Sequence, residues 1–382
     1  MVSLKLFSFS LGAQALEGDV LRPYVNATYS YDDNLRRMYD KGSDSSDRMW
    51  MVGAGIILDK SISRQKIYVD LGVNETKFDR NSDFNNTGKD LNARWDWVVG
   101  NRWKGKIDLG HKEAMVPFAE FRGTTLNLRT NDRRVFDAIY SFHPRWRARV
   151  GLGRYETKYD GIGQSIGNLI ETAQEFQVDY VTPHRGHIGL VYRHVNGDRP
   201  VRQNIAGMLV DNSYDQDEYK LNAEWQITGK TGLQFLGGLV QRTHDEFTQR
   251  DFNGFNARMN VNHLLTGKTK LNLSAWREIN AQSFVTSTFT LNKGVKLGSD
   301  TMLTGKTSLR GSLQYQRIEF DGDVLFESYR EDTLKTATLG LVYQAMPALS
   351  LNGTLNYTKR DSSRQFTGFN STSVALTAQY EF

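Results

Sequence analysis

The chain has no cysteine among its 382 residues. Without thiols there are no disulfide staples, no thiolate metal sites and no cysteine nucleophile. No run of eighteen apolar residues occurs, so no membrane-crossing helix is available. Charge of one sign is also lacking: 48 Lys and Arg face 43 Asp and Glu, a net +5 spread along the chain. That distribution is a poor footprint for nucleic acid. The seven histidines, at 111, 143, 184, 187, 194, 244 and 263, show no metal-ligand spacing. His184 and His187 flank a turn and read as solvent-facing. No G-x-S-x-G elbow, phosphate-cradling glycine loop or H-E-x-x-H motif is present. Asp44 and Asp47 lie among Ser43, Ser45 and Ser46, where irregular spacing favours a solvated loop over a calcium site. Neither a cofactor nor an enzymatic activity is expected.

What is abundant is alternation. The C-terminal residues place Val374, Leu376, Ala378, Tyr380 and Phe382 on one face, and Ser373, Ala375, Thr377, Gln379 and Glu381 on the other. A period of two means a strand with one apolar and one polar face. The same pattern recurs from Leu91 to Trp97, Trp146 to Leu152, Tyr219 to Ile227 and Phe255 to Val261. Such repetition, with a mean hydropathy of −0.53, describes an all-β transmembrane antiparallel barrel whose polar half faces water. A soluble sandwich would alternate too, with fewer and shorter strands. Val374, Leu376, Tyr380 and the terminal Phe382 resemble the signal by which barrel-assembly machinery recognises outer-membrane proteins. The implied location is the bacterial outer membrane, with lipid as the surrounding partner.

Turns set the strand count. Thr228-Gly229-Lys230-Thr231, Thr266-Gly267-Lys268-Thr269 and Thr304-Gly305-Lys306-Thr307 recur every 38 residues. Their glycines are expected to supply positive φ. Similar short turns lie near 61–64, 100–102, 143–145, 183–185 and 346–348. Longer polar segments lie between, at 35–47, 81–86, 161–171, 196–215 and 321–331. Eight short turns predict eighteen strands, with sixteen as the alternative, and both termini on the short-turn side. The short turns are periplasmic and the long loops extracellular. Segments 114–130 and 284–303 are the hardest to assign. Lys5, the apolar stretch 6–11 and Ala13-Gln14-Ala15 resemble the back half of a secretory signal. Residues 1–15 are therefore read as a residual signal or disordered segment and 16–382 as one barrel, starting near Pro23. The short stretch before Pro23 offers no plug domain, which argues against an energised receptor.

Parity assigns the inner surface. Arg94, Lys104, Lys106, Arg147, Arg149, Lys220, Arg258 and Arg310 share the polar face with Asp96, Asp179 and Glu224. A barrel of sixteen to eighteen strands leaves an aqueous channel, and an arginine-rich wall favours anionic solutes or sugars. Equally, these charges could pair across strands and only stiffen the wall. Any occlusion must come from folded-in loops such as 114–130 or 196–215. Trp97, Trp103, Trp146, Trp225 and Tyr343 flank short turns, as membrane-interface aromatics do.

Residues 22–35, RPYVNATYSYDDNL, and 48–110, from RMWMVGAGIILDK to WKGKIDLG, resemble the EpsL-like outer-membrane proteins of exopolysaccharide loci in exosortase-bearing bacteria. Leu35-Arg36-Arg37 departs from the apolar or aromatic continuation expected there, in a loop. The resemblance implies a barrel exporting exopolysaccharide with a periplasmic polysaccharide-export protein, and it transfers no site residue. A passive diffusion or oligosaccharide-uptake porin is the alternative.

Overall fold

The computed structural model describes residues 20–382 except 43–44, 162, 184–185, 206, 247, 285–286 and 322–329. The signal-like segment, Asp44, His184 and most of the 321–331 loop thus lie outside the described residues. The first strands are β1 (Leu21–Asp32), β2 (Asp47–Ile62), β3 (Gln65–Phe78), β4 (Asn86–Val99) and β5 (Trp103–Met115). Then come β6 (Leu128–His143), β7 (Trp146–Tyr159), β8 (Leu169–Val181) and β9 (His187–Asp198). A short hairpin, β10 (Gln203–Ile205) and β11 (Met208–Val210), sits within one loop. The wall resumes with β12 (Tyr214–Thr228), β13 (Thr231–Thr243), β14 (Phe252–Leu264), β15 (Thr269–Phe284) and β16 (Ser287–Met302). It ends with β17 (Thr307–Asp321), β18 (Arg330–Met346), β19 (Leu349–Ser362) and β20 (Phe369–Glu381).

Every wall strand pairs antiparallel with its neighbours in the chain, β9 pairs with β12, and β1 pairs with β20. The result is an eighteen-stranded closed cylinder. Pairing the first strand with the last closes the sheet on itself, which is what a sheet surrounded by lipid requires. The backbone N–H of Phe382 completes the seam by donating to the Pro23 carbonyl at 2.9 Å. The strands flanking all eight anticipated turns pair in the anticipated order, and both described ends meet on the short-turn side.

The reason given for the three T-G-K-T turns needs correcting. Gly229, Gly267 and Gly305 do not take positive φ; among the short turns, Ser63 and Gly100 do. The threonine preceding each glycine holds the turn instead. Thr228, Thr266 and Thr304 each accept a bond at Oγ1 from the N–H of the lysine two residues on, at 3.2, 3.1 and 3.1 Å. This is the hydroxyl-to-backbone turn that Ser and Thr favour.

A cylinder of one sheet can bury a strand side chain only on its inner face. Leu190, Leu313 and Leu376 are 72%, 63% and 59% exposed, whereas Asp137, Gln177 and Asp179 are buried. The apolar parity is therefore outside and the polar parity inside. Trp97 covers Gly105, its cross-strand partner, and any Cβ there would come within 2.5 Å of the indole.

Candidate functional site

The inner face is organised as ion pairs within strands and between neighbouring ones. On β5 to β8, Asp137 accepts from Arg149 Nε and Nη2 at 2.9 and 2.6 Å, and Lys106 Nζ approaches it at 3.4 Å. Arg149 also reaches Glu175 at 3.0 Å. Next to it, Arg147 Nε donates to Asp179 at 2.6 Å. Asp179 fits because residue 189 opposite is glycine; a Cβ there would lie 2.0 Å from its carboxylate.

Further round the wall, Arg258 forks onto Glu278 at 2.8 and 2.7 Å with Trp276 beside it. Lys220 donates to Glu218 at 2.6 Å, and Arg310 to Asp300 at 3.2 Å. Arg94 grips Asp96 two residues along its own strand, at 2.7 to 2.9 Å. Glu224 is exposed and 3.5 Å from His187, and Lys104 is exposed with no ion pair among the described residues. Most of the cations assigned by parity are thus already engaged by carboxylates.

At the loop end, chain segments pack against one another inside the ring of strands. Segment 116–127, between β5 and β6, folds across the mouths of β1 to β4. Phe118 packs with Leu35, Phe78 and Phe84, and Arg36 donates to the Gly123 carbonyl at 3.3 Å. Arg122 then donates to the carbonyls of Phe366 and Thr367, at 3.0 and 2.5 Å, while Arg360 Nη1 donates to the Ala119 carbonyl at 2.9 Å. The unexpected Leu35-Arg36-Arg37 sequence acts here: Leu35 and Arg36 hold the segment, and Arg37 pairs with Asp32 at 2.8 Å.

Four guanidiniums converge beneath this segment. Arg37, Arg122 and Arg360 lie 5.7, 5.6 and 5.2 Å from the Phe369 ring. Arg330 forks onto Asp332 at 3.1 and 2.6 Å, and Asp332 also accepts from Ser362 at 2.5 Å. Burial, and after it the charges of Arg330 and Arg37, push the Arg122 pKa below its usual range. Parity could have placed Arg330, Asp332 and Arg360 on the inner face. Their meeting with Arg37 and Arg122 depends on loops, which carry no periodicity.

A second inward element is the β15–β16 hairpin. The ladder between β14 and β15 stops at Ala257–Arg277, so β15 leaves the wall above that point. Ile279 and Phe289 then pack on Val240 and Phe252, which belong to the inner face, and Ile279 N–H donates to Asn256 at 3.3 Å. β15 crosses as far as the single helical turn Ser165–Gly167 in the long loop between β7 and β8. Segment 196–215 is tied to its neighbour instead, by Asp211 N–H to Glu246 at 2.7 Å and by Arg250 to Asn212.

Loop carboxylates hold backbone rather than ions. Asp47 accepts from the N–H groups of Arg80 and Asn81, each at 3.0 Å. Among the described residues no group of His, Asp or Glu is arranged for a metal.

The family described as "Putative beta-barrel porin 2" matches residues 185–382, just over half of the chain. The chain belongs to that family. It is a porin-like channel protein integral to the outer membrane. The porin-like barrel is similar in fold to OpdK of Pseudomonas aeruginosa, with TM-score 0.52 and 12% identity over 95% of this chain and 99% of that one. OccK2 (OpdF) of the same organism gives 0.53 and 11% over 95% and 98%, and its complex with glucuronate 0.51 and 11% over the same shares. No curated protein matches the chain.

Proposed function

We propose that the barrel is a passive diffusion channel for small hydrophilic solutes, with a preference for anions. The observation that carries this reading is the mouth: segment 116–127 and the β15–β16 hairpin cross it and leave arginines beneath. A charged mouth crossed by chain segments suits small solutes; a polymer needs an unbroken wide path. Below it, Arg94, Lys104, Lys106, Arg147, Arg149, Lys220, Arg258 and Arg310, with Asp96, Asp179 and Glu224, line the route. Paired charges offer many weak, exchangeable contacts, which allow entry without trapping. OccK2 has been crystallised with glucuronate, a small carboxylate, which accords with this class of solute.

Trp97, Trp103, Trp146, Trp225 and Tyr343 are proposed to sit at headgroup depth near the periplasmic turns. Stacking of Trp103 on Tyr140 at 4.6 Å and packing of Trp146 on Tyr180 at 5.2 Å support that role. The outward Val374, Leu376, Tyr380 and Phe382 would be read by the barrel-assembly machinery.

Proteoliposomes test the proposal. They should swell in small sugars and in glucuronate but not in long dextrans, and planar bilayers should show steady conductance from the barrel alone. A sealed bilayer, or equal swelling in dextran, would refute it. Export of exopolysaccharide with a periplasmic partner remains the second reading, supported by residues 22–35 and 48–110. It requires that a deletion strain lose extracellular polysaccharide.

A further inference from the structure

The outer wall carries a feature that solute passage does not use. On β15 to β17, Arg277 faces Lys293 and Lys293 faces Arg317 across the ladder. In the adjacent row, two residues nearer the membrane centre, Tyr315 faces Lys335 and Lys335 faces Lys359. All five cations share the parity of the exposed Val295, Leu297, Leu313 and Tyr315, so they point outward. Like charges set directly opposite one another weaken a sheet. Among the described residues three carboxylates stand between them. Glu319 lies 2.6 Å from Lys293 and 3.6 Å from Arg317, Glu331 pairs with Arg317, and Asp361 lies 3.4 and 3.1 Å from Lys335 and Lys359. Counted among the described residues, cations outnumber carboxylates in both rows.

Directly below runs an apolar groove of about 320 Å³, walled by Val295, Leu297, Leu313, Tyr315, Ala337 and Tyr357. Lys335 forms its upper lip. The next ladder row, Leu273, Leu297, Leu313, Ala337 and Tyr357, is apolar throughout. The groove opens on the lipid-facing side of the wall, and the cations sit toward the extracellular loops. Whatever covers this surface is therefore a lipid of the outer leaflet. Adjacent cations on neighbouring strands call for an anion with several acceptor oxygens, as phosphate has.

We propose that the outer face of β15 to β19 binds a phosphorylated lipid, with an acyl chain in the groove and its phosphate against Lys335, Lys359 and the Arg277–Lys293–Arg317 row. The site depends on membrane insertion and not on which solute the channel passes. It serves to seat one lipid beside the stretch where β15 leaves the wall.

Native mass spectrometry of the detergent-solubilised barrel with diphosphorylated lipid A is the test. The wild type should retain one lipid that excess inorganic phosphate does not displace, and phosphatidylcholine should not replace it. K335Q/K359Q should lose about thirtyfold in affinity, from two cations beside an anionic lipid. K335R/K359R should bind as the wild type does, and heat-modifiable gel migration checks that each variant is folded. Equal binding by folded K335Q/K359Q, equal retention of phosphatidylcholine, or displacement by inorganic phosphate would each overturn the proposal.

Discussion

Asp332 shows how much one side chain can carry inside a wet barrel. It is fully buried and is shared by Arg330, Ser362 and, at 3.9 Å, Arg360. Removing one partner of a buried pair leaves the others charged without compensation. Asp332→Ala should cost about 3 kcal/mol of stability by that mechanism, measured as urea-dependent folding into vesicles. No change in midpoint would show that water reaches the cluster freely. His244 gives a residue-scale prediction in pH. Burial, and then Arg242 and Arg250 nearby, lower its pKa to about 4, although Asp251 pulls the other way; Tyr214 packs against its ring. Opened, this histidine takes up a proton below its ordinary value near 6.5; folded, it does so only near 4. Local stability is thus complete above pH ~6.5 and falls as pH drops toward ~4, by roughly tenfold in protection per pH unit. Hydrogen-exchange protection factors of the loop 244–251 should follow that slope. His244→Asn should flatten it, and an equal slope in the variant would exclude the histidine as its source.

At the scale of elements, segment 116–127 is held by the loop ends of β1 to β4 on one flank and of β19 and β20 beyond them. Its anchors are the hydrophobic contact of Phe118 and the guanidinium bonds of Arg122 and Arg360. Hydrogen bonds from charged donors contribute about 2 kcal/mol, so Arg122→Ala should raise the detached population about thirtyfold. Single-channel records should then show longer open intervals and larger conductance. Unchanged records would mean that Phe118, Arg36 and Arg360 suffice to fix the segment. Parity put Arg147, Arg149 and Arg258 on the polar faces of their strands, because a strand's side-chain period is two. It could not foretell that β15 would abandon that wall above Arg277, where Ile279 and Phe289 keep the outward parity yet pack inside. Alternation reports a residue's side of its own strand and is silent about the strand's path.

For the molecule as a whole, closure of β1 on β20 is the decisive event, and it joins the two described ends. Phe382 donates its N–H to Pro23 and packs its ring 5.0 Å from Tyr380. Deleting Phe382 should remove both contacts and the proposed recognition signal. The expected outcome is a lower yield of heat-modifiable, folded barrel in the outer membrane, read by the gel shift of unboiled samples. Normal yield would show that the remaining residues of β20 suffice for insertion. Eighteen strands in one ring also make stability cooperative, since each strand needs two neighbours to satisfy its backbone.

Strand number, turn order, and which residues of a strand share a face were legible in the amino-acid order, because a two-residue period and short polar turns are local properties. Even there the reason for the T-G-K-T turns lay in threonine hydroxyls rather than in glycine backbone freedom. The arginine cluster beneath segment 116–127, the bent β15–β16 hairpin and the basic rows above the outer groove were settled by tertiary structure alone. Each brings together side chains from distant strands, and such meetings depend on register, curvature and loop path, which leave no local repeat to read.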